Sequence, residues 1–299
     1  MTRFATGLIL ALSVSLVWAQ EEVEFKSESL AEGLSVVYGV GGFAGGNILI
    51  STGPDGTVMI DDSMPPLLPK LKVAIKSLGG DDLTFLINTH LHGDHTGNNA
   101  SFAQDGAHLV AHHKVRERLK ADSERSAEAL PVITFNDEIH FHLNGQPAQV
   151  MHLPAAHTDG DAAIYFPEVN VLHTGDLLFN GIFPFIDLEN GGSVQGYIDG
   201  QRRLLDMAGP DTVIVPGHGP AKAGRADLER ANTMLRDAYQ KVSRLVAQGK
   251  TEDEILALNP LAGYHDDWSW GFITTEKMTR TLYQDLTEHR HGTQDDHQH

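Results

Sequence analysis

The sequence predicts a protein of the α/β class, in which helices cover the faces of sheets. Short apolar runs typical of buried strands recur along the chain, separated by turn residues and by longer amphipathic stretches. Four stretches carry apolar residues at helical spacing, namely 65–78, 112–120, 193–207 and 226–246. A further short helix is predicted after Thr251, because Thr251 and Glu254 form a capping-box pattern. No internal repeat is visible, so one enzyme-sized domain with a helical end is expected.

Residues 1–19 have the composition of a signal peptide that is cleaved before Gln20. Arg3 precedes an apolar core at 8–17, and small residues stand at the expected positions before the cleavage point. The core is too short to span a membrane permanently, although an uncleaved N-terminal anchor is the alternative. No later stretch is a candidate transmembrane helix, so no stable membrane insertion is expected. The mature protein is therefore expected in the periplasm or outside the cell.

Composition restricts the partners and cofactors that the chain can have. The formal net charge is −18, and it becomes one unit more negative when Arg3 leaves with the signal. Such a charge repels phosphate backbones, so nucleic acid is not an expected partner and a small-molecule substrate is. The chain has no cysteine, so any metal site must use nitrogen and oxygen donors. The oligomeric state stays open.

A glycine-rich loop at residues 41–47 joins two strand-like runs. Its four glycines supply flexibility, and Phe43 provides an apolar tip. The loop is either a mobile flap over a site or an ordinary hairpin connection, and the hairpin is the preferred interpretation.

The segment from Thr89 to His95 packs four potential metal ligands into six residues, directly after the apolar run 83–87. In an extended segment alternate side chains share a side, so His90 and His92 can converge on one ion. Gly93 lets the chain bend and present Asp94 and His95 to a second ion. Two adjacent metal sites are predicted. The alternative, a polar loop of solvated histidines, is disfavoured by the density of the cluster.

Three later segments place a histidine or an aspartate where a predicted strand ends. His157 follows the run 149–153, Asp176 follows 169–172, and His218 follows 211–215. A catalytic zinc ion takes three protein ligands and a water, so the first cluster needs additional ligands. These three residues are the candidates that complete the two sites.

The order of these elements resembles that of the metallo-β-lactamase superfamily over about residues 36–220. The resemblance rests on the HxHxDH pattern at 90–95, on the three later ligand candidates and on Asp61 after the strand 58–60. It implies a four-layer αββα sandwich, with a C-terminal helical appendage here. We therefore expect a signal peptide at 1–19, a hydrolase domain at 20–222, a helical extension packed on it at 223–287, and a disordered histidine-rich tail at 288–299.

Carried over to this chain, the resemblance implies two ligand sets. The implied ligands are His90, His92 and His157 for the first metal, Asp94, His95 and His218 for the second, and Asp176 as the bridging carboxylate. Asp61 is expected to orient the ligand loop without touching a metal. Thr158 and Asp161 are expected to stabilise a turn, with support of the ligands as the alternative. Two zinc ions are expected, although such donors also tolerate iron or manganese.

The expected activity is that of an exported dinuclear-zinc hydrolase. Two cations about 3.5 to 4 Å apart lower the pKa of a bridging water enough to leave hydroxide near neutral pH, and one cation polarises a carbonyl oxygen. Asp94 is the expected catalytic residue, because it can orient the water and accept its proton. An exported zinc-binding protein without catalytic activity is the alternative from another class.

The substrate is less well defined by the motifs. Many lactam-cleaving relatives carry a cysteine at the position of Asp176 and a lysine at that of Phe179, whereas Asp176 is typical of hydrolases that cut thioesters and lactones. Export and the segment 188–192, which resembles the asparagine-bearing loop of lactam-cleaving members, favour β-lactams. A helix-entry turn with Ser193 as N-cap explains that segment equally well. β-Lactam cleavage is preferred to thioester or lactone cleavage by a small margin.

Two groups of aromatic residues either fill the core or line the site, and the core is the preferred interpretation for both. The residues are Phe179, Phe183, Phe185, Trp268, Trp270 and Phe272.

Overall fold

The computed structural model describes residues 23–295, with side chains to residue 288. The predicted signal peptide at 1–19 and the last four residues of the predicted tail lie outside the described residues.

The first sheet contains seven strands, which lie side by side in chain order. They are β1 (Glu24–Ala31), β2 (Leu34–Val40), β3 (Ile48–Gly53), β4 (Gly56–Ile60), β5 (Leu83–Ile87), β6 (His108–His112) and β7 (Ile133–Phe135). Neighbours run antiparallel from β1 to β4 and parallel from β4 to β7. Both faces are buried, because successive side chains such as Val36 and Val37 alternate between two separate apolar clusters.

The second sheet contains five strands in the order β12, β11, β10, β9, β8. They are β8 (Glu138–Leu143), β9 (Gln146–His152), β10 (Ala162–Phe166), β11 (Val171–His173) and β12 (Val213–Val215). Only the β11–β12 pair is parallel. The connection from β11 to β12 therefore contains a crossover helix.

The helices cover the outer faces of the sheets. They are α1 (Leu68–Ser77), α2 (Gly93–Thr96), α3 (Asn99–Gln104), α4 (His113–Ala121), α5 (Val194–Met207), α6 (Arg225–Ala247), α7 (Glu252–Leu258), α8 (His265–Trp268) and α9 (Thr275–Asp295). Among the described residues, none of these helices has the length and apolar character needed to cross a membrane.

Three apolar clusters define four layers. Leu71 of α1 and Phe102 of α3 pack on the outer face of the first sheet. The inner faces of the two sheets meet across a second cluster. Leu204 of α5 and Leu235 of α6 pack on the outer face of the second sheet, and Leu282 of α9 joins the same cluster. The predicted αββα sandwich with a helical C-terminal region is confirmed.

The caps that the sequence predicts for two helices are present. Ser193 accepts a hydrogen bond from the Gly196 N–H, and Thr251 and Glu254 bond reciprocally as a capping box. α9 continues to Asp295 and so enters the segment 288–299, for which a disordered tail was expected. Once the earlier turns of a helix are formed, each further residue that joins it costs only its own backbone entropy. The glutamate, arginine and glutamine in this segment are compatible with a helix.

The topology brings the candidate ligands to one edge of the sandwich. β4, β5, β9, β11 and β12 all end at this edge, because β9 and β11 both run antiparallel to β10. The loops that follow these five strands begin at 61, 88, 153, 174 and 216, and they carry every residue of the predicted site.

Candidate metal centre

The first group of donors consists of His90, His92, His157 and Asp176, whose ligand atoms all lie within 4.8 Å of one another. The closest pair is His92 Nδ1 and His157 Nε2, at 2.9 Å. Except for His92 these residues are buried, and His92 opens toward the cleft. The structure therefore brings together the four residues predicted to hold or bridge the first metal.

The second group consists of Asp94, His95 and His218, again within 4.8 Å. Asp176 lies between the groups. Its Oδ1 is 3.3 Å from His95 Nε2, and its Oδ2 is 3.3 Å from His218 Nε2 and 3.4 Å from His157 Nε2. The carboxylate is thus placed where it could contact an ion in either group, as predicted for a bridging ligand.

Hydrogen bonds on the outer side of the imidazoles orient their inner nitrogen atoms. His90 Nδ1–H donates to Thr89 Oγ1 at 2.9 Å, and His157 Nδ1–H donates to the Phe185 carbonyl at 2.8 Å, so both rings direct Nε2 inward. His92 is reversed: its Nε2–H donates to Asp187 at 2.8 Å, and Nδ1 faces inward. Asp187 is a functional candidate that sequence reasoning missed. It lies 95 residues from His92, so only the fold brings them together.

Asp61 supports the ligand loop from below without joining either group of donors. Its carboxylate accepts hydrogen bonds from the Thr89 N–H at 2.8 Å, from Thr89 Oγ1–H at 2.8 Å and from His95 Nδ1–H at 2.7 Å. The backbone at Asp61 is left-handed, with φ 62°. The position agrees with the predicted role of orienting the loop.

Thr158 and Asp161 form the turn predicted for them. The Asp161 carboxylate accepts from the Thr158 N–H at 2.8 Å and from its Oγ1–H at 2.6 Å. Because the turn follows His157 directly, it also fixes the direction in which that ligand loop leaves the sheet.

The glycine-rich loop is a hairpin connection between β2 and β3, as preferred from the sequence, but its glycines have a further use. A Cβ at Gly46 would lie 2.2 Å from His95 Cε1, and one at Gly217 would lie 2.0 Å from Asp176 Oδ1. Only glycine lets the backbone approach the ligands so closely. Phe43 at the tip stacks on His218, with ring centroids 5.9 Å apart, and is 55% exposed.

Charges in the centre oppose the effect of burial. Burial lowers the pKa of His157 to about 4, so this imidazole is neutral at pH 7. Burial would also lower the pKa of His218, but the charge of Asp176 and hydrogen bonds with Asp176 and Asp94 raise it to about 9. For Asp94, burial would raise the pKa, but His95 and His218 lower it to about 2. Without a metal, the carboxylates thus hold a proton on His218.

Two buried donor atoms of the centre indicate that its residues fit a cation. His90 Nε2 and Asp176 Oδ1 have no hydrogen-bond partner among the described residues. A buried polar atom without a partner is costly, so a group that accepts their lone pairs is favoured here. Imidazole nitrogen and carboxylate oxygen are donors that zinc accepts.

A cleft of about 580 Å³ opens over both groups of donors. His92, Asp94, Asp176 and His218 form its polar floor, and most of its remaining surface is aromatic. The aromatic residues are Phe43, Phe179, Phe185, Trp270 and Phe272. None of the described lysine or arginine side chains lines the cleft. The site therefore combines a floor of potential metal ligands with a largely apolar wall.

The C-terminal region supplies part of this wall. Trp270 Nε1–H donates to the Phe183 carbonyl at 2.9 Å, and the Phe183 N–H donates to the Trp268 carbonyl at 2.7 Å. Trp268 and Phe183 fill the core, as predicted. Phe179 is buried, as predicted, and also borders the cleft. The core prediction is wrong for Phe185, Trp270 and Phe272, which are partly or largely exposed and line the cleft. An apolar cleft wall and a core have the same residue types in sequence.

The segment 188–192 is a helix-entry turn, which was one of its two interpretations. Ser193 caps α5, and both ends of the Asn190 amide are occupied: Nδ2 donates to Asp187 at 2.7 Å, and Oδ1 accepts from Arg118 at 2.9 Å. Asn190 is not among the residues that line the cleft. Its position does not support a role in binding a lactam.

Comparisons with known proteins agree with this architecture. The sequence model of the family described as "Metallo-beta-lactamase superfamily" matches residues 34–218. A "Hydroxyacylglutathione hydrolase" from Polaromonas sp. is 32% identical over 175 residues, which cover 58% of this chain and 61% of that protein. A protein of the same name from Nitrosococcus oceani is 31% identical over 174 residues, with the same two coverages. The chain thus matches about 61% of the length of these relatives.

A solved structure, "Metallo-beta-lactamase from Pontibacter korlensis", has a TM-score of 0.60 at 21% identity, covering 72% of this chain and 100% of that chain. At this identity the likeness concerns the fold alone. The family match, by contrast, extends over more than half of the sequence and contains all seven donor residues described above. The chain therefore belongs to the metallo-β-lactamase superfamily.

Proposed function

We propose that the protein is a hydrolase that uses two zinc ions to cleave a carbonyl substrate with water. The proposed ligands are His90, His92 and His157 for the first ion, Asp94, His95 and His218 for the second, and Asp176 for both. The observation that carries the proposal is a double donor set, joined by one carboxylate, on the floor of an open cleft. A protein that only stores zinc needs no such open floor.

The chain's own contribution to the reaction begins with Asp94. Bound zinc supplies positive charge that acidifies a water and polarises a carbonyl oxygen. The Asp94 carboxylate lines the cleft, lies 3.3 Å from His218 Nε2 and stays ionised because its pKa is about 2. It can therefore orient the attacking water and accept its proton. The aromatic walls hold the apolar part of the substrate and exclude bulk water.

We propose a thioester or a lactone with an apolar acyl portion as the substrate. Apolar walls favour such a group, and the name of the two relatives describes cleavage of a glutathione thioester. Glutathione itself carries two carboxylates, and none of the described residues that line the cleft is a lysine or an arginine that could pair with them. Lys277 of α9 contacts the outer aromatic wall, with Nζ 3.7 Å from the Phe272 ring centroid, but is not a lining residue.

The preference for β-lactams that followed from the sequence takes second place after the structure. Asn190 is bonded away from the cleft, and Phe179 occupies the position at which many lactam-cleaving relatives carry a lysine. A β-lactam carboxylate would therefore meet aromatic rings on the cleft wall rather than a lysine.

The test is a comparison of initial rates for the zinc-loaded chain from Gln20 onward, since export with removal of residues 1–19 is part of the proposal. Substrates are apolar acyl thioesters, acyl lactones, a glutathione thioester, and penicillin, cephalosporin and carbapenem β-lactams, each with and without a chelator. We expect chelator-sensitive cleavage of the apolar thioesters or lactones, with KM raised in Trp270→Ala. Turnover of β-lactams alone would overturn the substrate assignment. No turnover together with more than two bound zinc ions would favour a storage protein.

Zinc binding is expected to release protons at pH 7. In the metal-free protein the raised pKa of His218, about 9, keeps its imidazole protonated at pH 7, whereas zinc binds only the neutral ring. Affinity for the second ion should therefore rise by about tenfold per pH unit toward pH 9 for each proton released, and then level off. Calorimetry at pH 7 in two buffers of different ionisation enthalpy measures the release. Equal apparent enthalpies in the two buffers would show that His218 is already neutral.

A further inference from the structure

A chain of hydrogen bonds leads from helix α4 to one ligand of the first metal site. His92 Nε2–H donates to Asp187 Oδ2 at 2.8 Å, and the Asn190 side chain donates to the same oxygen at 2.7 Å. The Asn190 N–H donates to the other Asp187 oxygen at 3.1 Å. Arg118 of α4 in turn donates to Asn190 Oδ1 at 2.9 Å. We call these three supporting residues, Arg118, Asn190 and Asp187, the His92 relay.

The far end of the relay is itself fixed. Arg118 donates from Nε and from its second terminal nitrogen to the two oxygens of Asp159, at 2.7 and 2.8 Å. The side chains of Arg118, Asp159 and Asp187 are 28%, 24% and 10% exposed. Two parallel hydrogen bonds from a planar guanidinium to the two oxygens of one carboxylate fix the orientation of the guanidinium. Arg118 therefore presents its third nitrogen to Asn190 in one direction.

The two glycines after Asn190 serve close packing of this loop. A Cβ at Gly191, where φ is +77°, would lie 2.9 Å from the Asp159 Cβ and 3.1 Å from a terminal nitrogen of Arg118. A Cβ at Gly192 would lie 2.3 Å from the carbonyl oxygen of His157. The Asn-Gly-Gly sequence is thus explained by contact with the relay and with a ligand-bearing segment.

His92 has more need of such support than the other ligands of its group. Its side chain is 20% exposed and borders the cleft, whereas His90 and His157 are enclosed by the core. It also directs Nδ1 inward while His90 and His157 direct Nε2. A half-turn of the ring about its Cβ–Cγ bond would put the Cδ2 carbon atom where Nδ1 stands, and packing alone does little to prevent it at an open edge.

We propose that Arg118, Asn190 and Asp187 are positioning residues for His92, which hold its Nδ1 lone pair toward the first metal site and so set the affinity of that site. A carboxylate that accepts from the outer nitrogen of a ligand imidazole fixes its tautomer and raises the basicity of the inner nitrogen. The inference rests on the proposed metal centre, but it needs no substrate.

The test measures the affinity of the mature chain for each of two zinc ions by competition with a chromophoric chelator. Arg118→Met and Asn190→Ala are each expected to lower the affinity for one zinc ion by about tenfold. Asp187→Leu should lower it by up to about 100-fold. Asp187→Asn should fall between Asp187→Leu and the unaltered protein, because its amide oxygen still accepts from His92. Arg116→Met is the matched control: Arg116 is also half-buried on α4 but donates to the Pro131 carbonyl, so affinity should not change.

Unfolding of the metal-free variants in urea separates positioning from simple support of the fold. If Arg118→Met lowers the free energy of unfolding while both zinc affinities stay at the level of the unaltered protein, the relay is structural and the proposal is wrong. Equal zinc affinities in Asp187→Leu and Asp187→Asn would also contradict it. Zinc affinity is measured without substrate. A protein that binds two ions but hydrolyses nothing would therefore refute the proposed function, while the variants would still test whether Arg118, Asn190 and Asp187 set the zinc affinity.

Discussion

Asp94→Asn is expected to lower turnover by about 100-fold or more while leaving the fold nearly as stable as before. The amide cannot accept the proton of the attacking water, and it is a poorer zinc ligand than a carboxylate. The Asp94 side chain is 21% exposed in the cleft, so an isosteric amide fits the same space without burying a new unpaired group. The measurement is kcat and KM of the zinc-loaded variant, together with urea unfolding.

Zinc content decides how that result is interpreted. If Asp94→Asn still holds two ions and turnover falls, the loss is assigned to proton transfer; if it holds one, the loss is assigned to the missing ligand. Asp105→Asn is the control, because Asp105 is an exposed carboxylate paired with Lys72 outside the cleft. It should retain full activity. Unchanged turnover in Asp94→Asn would refute the catalytic role of Asp94.

Local sequence patterns predicted most of the elements that surround the site. β5, Leu83–Ile87, was predicted residue for residue, because a strand buried on both faces is a continuous apolar run that ends where polar loop residues begin. β8 was missed, although its alternation and the Asn144-Gly145 turn that pairs Leu143 with Gln146 are a hairpin signal. The four-layer arrangement followed from the family resemblance, since the pairing of distant strands has no local pattern.

The candidate ligands could be predicted because each follows a strand, and strand ends can be read from the chain. The support around them could not. Asp187 and Arg118 act on His92 only through the fold, and neither lies in a pattern that distinguishes it from a surface residue. Trp270 is a similar case, because its place in the cleft wall depends on bonding between the C-terminal region and Phe183.

Asp61→Asn is expected to lose stability as well as metal affinity, in contrast to Asp94→Asn. The Asp61 carboxylate is fully buried and accepts three hydrogen bonds, two from Thr89 and one from His95. Asparagine offers one acceptor oxygen, and its NH₂ group would face a donor. One buried donor is therefore left unpaired, which should lower the free energy of unfolding by about 1–3 kcal/mol. The affinity for the second zinc ion should fall by about 10- to 100-fold, because His95 loses its orientation.

Asparagine is the informative substitution because it changes the side chain without adding backbone strain. Asp61 has φ 62°, a left-handed conformation that asparagine adopts as readily as aspartate, whereas alanine would add strain. Urea unfolding of the metal-free protein and chelator competition give the two readouts separately. A fall in stability with unchanged zinc affinity would mean that Asp61 stabilises the fold but does not orient the zinc ligands. A fall in both would mean that Asp61 acts on the reaction through the ligand loop, whereas Asp94 acts on the water directly.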